Sequence, residues 1–421
     1  MLNTVINKIK INEGNIIRSK GNLCYVYNTN EKKHIFISKE VLGYIKEASS
    51  QNLDISTFIN IFENLEDRVY ISEVLEKLIE VGYININNNK EINDKKSFDY
   101  IHFMLTKRCN LKCIHCSSSC SPSEEDSLSL EDIKLILKNI STLSPSNIVF
   151  TGGEPLLRND LEQIVEATKK LMPDTNLILA TNGTLISENN MHLLKLFNKI
   201  DISIDGVNEG SCSKVRGIGV FDKVIKNIKF LQDNEFYNIY LSMVFGEKTS
   251  HLVKDFKNLN EKLNTNPVFR NFSPIGRGYD NYNYFNEEKH HLPISATQMY
   301  KIKSDSRHIS SCSCNAFESN LYIDNKGDVY PCLALINKEN KIINFCEHEV
   351  NFEEFLELLN LKKNTFKKIL EYRDTKCEHC DLNIFCWNCP AVFKDAKENK
   401  EIDIWCKEMK ESLNEIIWRQ I

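Results

Sequence analysis

The 421-residue sequence contains no apolar run approaching the roughly 18 residues that a membrane span requires. Its N-terminus, MLNTVINKIKINEG, alternates apolar and polar residues and lacks the continuous apolar core of a secretory signal. These absences argue against a membrane partner and give a cytoplasmic location as the expectation. An excess of positive charge is also missing. The 53 Lys and Arg against 58 Asp and Glu leave a net charge of −5, so nucleic acid is not the expected main partner. No repeat of fixed period is present either, which sets aside repeat architectures.

Cysteine, by contrast, is plentiful, with 15 in the chain. Isolated cysteines behave as small buried hydrophobes, and that reading suffices for Cys24, Cys120, Cys212 and Cys346. It does not account for the dense groups at 109–116 and 312–406. In a reduced compartment disulfides are disfavoured, so clustered thiols there read as metal sites.

The chain divides into three parts. Residues 1–92 read as a small module: β-like runs at 23–27 and 34–38 flank the turn-forming NTNEKK, and amphipathic segments follow near 39–48, 54–63 and 71–81. In the last segment Ile71, Val74, Leu75, Leu78 and Ile79 recur at helical spacing; Gly82 closes it and YINI suggests a final strand. A polar run leads into a linker at 93–99. The core, 100–300, alternates strands (100–105, 147–151, 176–181, 201–204, 239–245, 268–272) with helices near 129–140, 160–171, 188–198, 221–232 and 251–263. Ser129 and Asp132 are spaced as a capping box. Such βα repeats imply an α/β fold with a parallel sheet, and six are too few for a closed eight-stranded barrel. The expectation is a partial (β/α)6 TIM-type barrel, with the loops at the strand C-termini forming the site. Residues 305–421 lose this alternation, and metal is expected to organise them.

The first core strand runs into Thr106-Lys107-Arg108-Cys109-Asn110-Leu111-Lys112-Cys113-Ile114-His115-Cys116. Three thiolates are one short of the four that close a structural zinc or iron–sulfur site. A cubane held by three cysteines keeps one iron open for a ligand; a zinc site completed by His115 is the alternative. Successive strands then end in Thr151-Gly152-Gly153-Glu154-Pro155, Ala180-Thr181-Asn182-Gly183 and Ser203-Ile204-Asp205-Gly206. Paired glycines let backbone approach a ligand closely. Each motif alone is an ordinary turn signal; their order on consecutive strands is specific.

CxxxCxxC after a first strand, followed by these loops, resembles the radical S-adenosylmethionine (SAM) superfamily across 100–280. The resemblance implies that Cys109, Cys113 and Cys116 hold a [4Fe–4S] cluster whose open iron takes the amino and carboxylate groups of SAM. It implies that Gly152, Gly153 and Glu154 form the motif receiving the SAM amino group, and that His115 sits beside the adenine. Asn182, Ser203 and Asp205 fall where the family places ribose and methionine contacts. Arg216 in KVRG is a partner for the SAM carboxylate or, alternatively, a solvated surface arginine. Reductive cleavage to methionine and a 5′-deoxyadenosyl radical is the implied chemistry, in which the cofactor performs the hard step and the protein orients and seals it. No side-chain acid or base is expected to be essential for SAM cleavage.

Downstream, CNAFESNLYIDNKGDVYPC ends at Cys332, and Cys377, Cys380, Cys386, Cys389 and Cys406 follow. The pattern resembles the SPASM extension of peptide-modifying radical SAM enzymes, which holds two auxiliary [4Fe–4S] clusters; a zinc ribbon is the alternative for CEHC and CWNC. By resemblance, Cys314, Cys332 and Cys389 bind auxiliary cluster I, and Cys377, Cys380, Cys386 and Cys406 bind cluster II. The two residues between Cys386 and Cys389 depart from the family's usual three, so Cys312 or Cys346 are further candidates for cluster I, the alternative being an open iron there.

The strands and helices of 1–92 resemble the PqqD-like, winged-helix element that binds leader peptides by strand addition; an extension that only packs on the barrel is the alternative. The expected function is a maturase of a ribosomally made precursor peptide, with a flavodoxin- or ferredoxin-type electron donor, forming a thioether between a cysteine sulfur and a carbon. Carbon–carbon crosslinking, epimerisation and formylglycine formation are the other enzymatic readings, and a non-catalytic iron–sulfur regulator is a third class. The loop at 273–291, rich in aromatic and polar residues, is a candidate substrate-facing segment.

Overall fold

The computed structural model describes residues 8–85, 98–287, 314–369, 377–386, 389, 391, 394, 400 and 402–418. Cys312, most of the expected linker and the last residues of the 273–291 loop lie outside them.

The N-terminal part forms β1 (Lys10–Ile11), β2 (Asn15–Lys20), β3 (Leu23–Asn28), β4 (Lys33–Ser38), α1 (Lys39–Ser50), α2 (Ile55–Asn60), α3 (Leu65–Glu80) and β5 (Ile84–Asn85). Strands β2, β3 and β4 make an antiparallel sheet in that order, and β1 pairs with β5. Side-chain caps fix the helix starts: Ser38 accepts from Val41 N, Asp54 from Thr57 N and Asn64 from Glu66 N. The Asn64 cap starts α3 six residues before the expected 71, because the polar first turn hides the helix from apolar periodicity. Strand β3 is buried on both faces. Cys24 and Val26 face the helices with Leu42, Ile45, Leu75 and Leu78, while Tyr25 and Tyr27 face the C-terminal region.

The core comprises β6 (Tyr100–Thr106), α4 (Leu130–Thr142), β7 (Asn147–Gly152), α5 (Leu161–Leu171), β8 (Asn176–Thr181), α6 (Met191–Leu194), β9 (Lys199–Ser203), α7 (Glu209–Arg216), α8 (Val220–Asp233), β10 (Ile239–Phe245), α9 (Val253–Leu263) and β11 (Asn266–Asn271). The capping box at Ser129 and Asp132 is formed at the start of α4. Short helices α10 (Arg277–Asp280) and α11 (Tyr282–Phe285) follow. The C-terminal region adds β12 (Asn320–Ile323), β13 (Asp328–Tyr330), β14 (Ile343–Asn344) and helices Phe352–Ile369 and Ile402–Ile417.

One nine-stranded sheet runs in the order β11-β10-β9-β8-β7-β6-β12-β13-β14. The six expected core strands are parallel, and β12 extends them by pairing in parallel with β6. The sheet is therefore wider than a six-stranded one. Asn320–Ile323 is a short apolar run whose partner lies more than 200 residues earlier, so no local signal reveals the pairing. Alternation divides the two faces. Ile101, Phe103, Ile148, Phe150, Leu177, Leu179, Ile200, Ile202, Leu241 and Met243 join the helices in the main apolar core. Thr151, Ala180, Ser203 and Val244 instead line a cavity over the strand C-termini.

Candidate functional site

The cysteine loop is pinned from both ends. The Thr106 hydroxyl, at the end of β6, accepts from Arg108 N at 2.9 Å and bonds to Asp126. Cys109 N donates to Ser121 O at 3.0 Å and Ile114 N to Val215 O at 3.0 Å. From the 273–287 segment, Arg277 donates its Nε to Cys113 O at 2.9 Å and its backbone N to Cys116 O at 3.1 Å. Asn281 Nδ2 reaches Ile114 O at 3.0 Å. Gly276, at φ +57°, lies where a Cβ would come within 2.3 Å of Ser117 O. The GRG of SPIGRGYDN is the local sequence sign of these clamps, whose partners lie more than 150 residues earlier.

Cys109, Cys113 and Cys116 line one cavity of about 380 Å³ together with His115, Gly152, Gly153, Asn182, Ser203 and Arg216. That volume lies within the roughly 300–1,000 Å³ of small-molecule sites. The sulfurs already receive N–H groups: Leu111 N points at Cys109 Sγ at 3.4 Å and Cys120 N at Cys116 Sγ at 3.3 Å. Burial pushes the Cys109 thiol up to about 11 and raises Cys113. Neighbouring Cys120 instead lowers Cys116.

Gly152 and Gly153 seal the loop against β6. A Cβ on either would stand 2.3 Å from a carbonyl oxygen, Thr106 O for Gly152 and Arg108 O for Gly153. Gly153 N and Glu154 N donate to those same carbonyls at 2.8 and 2.9 Å. Glu154 is fully buried. Its carboxylate accepts from Thr181 Oγ1 (2.8 Å), Asn182 N (2.8 Å) and Leu156 N (3.1 Å), which ties the loop after β7 to the loop after β8. Burial raises this carboxyl, with the Asn182 and Thr181 donors opposing it. Asn182 in turn bridges Asn110 Oδ1 at 2.8 Å and approaches Cys109 Sγ at 3.9 Å.

Asp205 is the hub of the opposite wall, at φ +49° just after β9. It accepts from Val244 N (2.6 Å) and Arg216 Nε (2.7 Å), and meets His115 Nε2 at 2.7 Å. Burial alone would raise this carboxyl, but Arg216 and His115 outweigh it and hold it well below the usual range. Arg216 is buried, so it is not a solvated surface arginine. Its helix α7 was not expected from the polar EGSCSKVR; the Asn208–Ser211 capping box starts it. His115 stacks on Phe285 at 5.8 Å, and Phe285 on Phe272 at 4.4 Å. With Nε2 committed to Asp205, His115 is poorly placed to complete a zinc set through that atom. Its Nδ1 is buried without a protein partner, offering a polar edge to a cavity ligand. Three thiols, sulfur-directed N–H groups and this orphaned nitrogen around one cavity fit a three-cysteine cluster with a small polar cofactor beside it.

Among the C-terminal cysteines, burial raises Cys314 and pushes Cys332 up to about 12, and nearby Cys389 raises both. Cys389 thus lies within electrostatic reach of Cys314 and Cys332. Leu333 and Ala334, directly after Cys332, line the main cavity. Cys346 lies elsewhere, against Gly327 and Ile136, among the carboxylates of Asp132, Asp324 and Asp328. Cys380 N donates to Cys377 O at 3.0 Å. Cys380 and Cys386 pack with Ile402, Leu413 and Ile417 of the helix that carries Cys406. Cys24 and Cys212 are ordinary buried thiols bonded to Ile37 O and Ile204 O. Cys120 is not: it lines the cavity beside Cys116.

The N-terminal sheet grips this region. Tyr25 meets Phe385 edge-on at 5.1 Å and stacks on Trp418 at 5.8 Å, while Phe36 stacks on Phe385 at 5.7 Å. Arg18 donates to Glu378 O at 2.8 Å, and Lys32 pairs with Glu318.

Residues 103–259 match the family described as the Radical SAM superfamily. The GTP 3′,8-cyclase of Clostridium acetobutylicum is 26% identical over 260 residues, spanning 56% of this chain and 82% of the cyclase. Streptococcus suis SuiB bound to precursor peptide SuiA aligns with a TM-score of 0.50 at 15% identity, over 90% of this chain and 94% of SuiB. Native anSMEcpe with bound AdoMet and Cp18Cys peptide gives 0.51 at 18% identity, over 73% and 99%. The chain carries a radical SAM domain and is an enzyme with the radical chemistry of that superfamily, which implies SAM and a [4Fe–4S] cluster. At this level of identity, the two solved structures show a shared fold. Among the described residues no helix is long and apolar enough to cross a membrane.

Proposed function

We infer that the protein is a radical SAM peptide maturase that takes hydrogen from a ribosomally made precursor peptide and most simply forms a thioether. The observation that carries this reading is the shared wall of the main cavity. Leu333 and Ala334, beside Cys332, face the same space as Cys109, Cys113 and Cys116. A substrate radical formed there would lie next to an auxiliary site able to hold a substrate thiolate or accept the second electron. In this reading SAM and the reduced cluster supply the 5′-deoxyadenosyl radical. The chain's own residues orient and seal: Asp205 fixes Arg216 and His115, Glu154 locks the β7 and β8 loops, and Arg277 and Asn281 hold the cysteine loop closed.

Cys314, Cys332 and Cys389 would hold auxiliary cluster I, and Cys377, Cys380, Cys386 and Cys406 cluster II. Residues 1–92 would act as a PqqD-like peptide-recognition element ahead of the core at 100–300 and the SPASM region at 305–421. Each outer strand of the N-terminal sheet, β2 and β4, pairs only with β3 among the described residues, so either offers an edge for leader-peptide strand addition. A flavodoxin- or ferredoxin-type protein would supply electrons.

The second reading is nucleotide chemistry like that named for the Clostridium acetobutylicum relative, favoured by 26% identity over 260 residues. Anaerobic incubation of the reconstituted enzyme with SAM, reductant and either GTP or cysteine-containing precursor peptides separates the two. Product from the peptide with GTP unchanged supports the maturase. Conversion of GTP with peptide untouched rejects it.

A further inference from the structure

Three arginines, Arg216, Arg270 and Arg277, line the main cavity, and among the described residues no Asp or Glu lines it. Arg216 is bound from behind by Asp205, and Arg277 holds a carbonyl of the cysteine loop. Arg270 has neither task. It stands on β11, where Phe269 packs on the helix-side core, so alternation turns Arg270 to the cavity face of the sheet. Its side chain is 48% exposed. Asp201 of β9 anchors it: the carboxylate is only 10% exposed, and its Oδ2 accepts from Arg270 Nη2 at 2.6 Å. The contact is single, because Asp201 Oδ1 is buried with no hydrogen-bond partner among the described residues. Arginine–carboxylate pairs are frequently forked, two N–H groups to two oxygens. Here one bond fixes the guanidinium and leaves other donors of its five for a ligand. The charge is unbalanced too. Lys199, over the Tyr240 ring at 3.4 Å, acts on the same carboxylate, so two cations face one anion. His102 adds no charge at pH 7, because burial pushes it down to about 4. An anion entering the cavity would restore the balance, and a planar guanidinium takes a carboxylate through two parallel bonds.

We propose that Arg270 is a specificity-determining residue that receives a carboxylate of the precursor peptide in the main cavity, with Asp201 as the positioning residue that aims its guanidinium. This rests on the maturase reading above and names one chemical feature of the peptide it takes. The carboxylate belongs to an Asp or Glu close to the modified position or to the peptide C-terminus. Held there, the peptide shares the cavity with Cys109, Cys113 and Cys116.

The test uses full-length, anaerobically reconstituted enzyme and the precursor peptide that co-expression shows to be modified. That peptide is resynthesised with each Asp and Glu changed singly to its amide, and separately with an amidated C-terminus. Wild type, Arg270→Gln and Arg270→Lys are compared by kcat/KM for peptide conversion. With wild type, one amide peptide is expected to lose at least about tenfold, as for a charged hydrogen bond. Which peptide it is tells a side chain from the C-terminus. Arg270→Gln is expected to lose a similar factor with the acidic peptide and nothing further with that amide. Arg270→Lys, which keeps the charge without the fork, should fall between the two. Losses from Arg270→Gln that are proportional across all peptides would make it a structural residue and overturn the proposal, as would wild-type activity undiminished by every amide. If Arg270→Gln does not accumulate as folded, iron-bearing protein, Arg270→Lys decides: a narrowed preference for carboxylate over amide supports the proposal, and an unchanged preference overturns it. Co-expression that yields no modified peptide from enzyme with intact clusters overturns the maturase reading itself, an outcome distinct from the others.

Discussion

Arg216 and Asp205 form a buried pair across the loop after β9, with Arg216 Nη2 2.6 Å from Asp205 Oδ2 and both side chains less than a tenth exposed. His115, from the cysteine loop, meets the same oxygen. One carboxylate thus joins the cluster loop, the β9 loop and helix α7.

Breaking this pair should be costly. Removing one partner of a buried ion pair typically destabilises by about 3–5 kcal/mol. The Asp205 carboxyl is held below its ordinary range in the folded state, so its stabilisation is complete above that range and declines as pH falls through it and below. Asp205→Asn is therefore expected to unfold at lower denaturant than wild type at pH 7. The gap should narrow in acid, as read by denaturant titration at several pH values.

Glycine at 153 is required by contact rather than by flexibility. Gly153→Ala places a methyl against Arg108 O, with no flexible side chain to give way. SAM affinity, measured by equilibrium dialysis, is expected to drop at least about tenfold, or roughly 1.4 kcal/mol. Gly43→Ala in α1 meets nothing within 4 Å and should gain about 0.4–1 kcal/mol in thermal unfolding.

The two cysteine groups should separate by readout. Cys113→Ala is expected to abolish production of 5′-deoxyadenosine, whereas Cys380→Ala retains some cleavage and loses peptide product. Chromatography of nucleoside and peptide from one reaction checks this. Equal loss of both from Cys380→Ala, with the first cluster intact, would contradict the division of labour.

The N-terminal module is bound into the C-terminal region through Tyr25, Phe36, Phe385 and Trp418. Phe385→Ala empties that contact, and core Phe→Ala changes cost about 3–5 kcal/mol. Lower iron per chain is expected, with leader-peptide affinity falling in parallel. Deleting residues 1–92 should weaken leader binding more than uncoupled SAM cleavage.

Much of the core was legible because its strands obey a local rule. Residues 239–245 alternate Ile, Leu, Met and Phe toward the helices, and β10 spans the same residues. The loops carrying Cys109–Cys116, Gly152–Glu154, Asn182 and Ser203–Asp205 follow from those strand ends. What stayed hidden depends on distant partners. Strand β2, NIIRSK, lacks clean alternation, because one edge strand covers only part of each core. The β12–β6 pairing, the Asp205 hub and the Arg277 clamp join residues far apart in sequence, where spacing carries no signal. Cys120 read as a filler thiol because only folding shows it turning back on Cys116.

Anaerobic co-expression with candidate precursor peptides, followed by tandem mass spectrometry and thiol alkylation, tests the maturase reading most directly. It predicts a peptide lighter by two hydrogens for each bond formed, with one cysteine per bond no longer alkylated. A peptide of unchanged mass and fully alkylated cysteines, from cells holding enzyme with intact clusters, would contradict it.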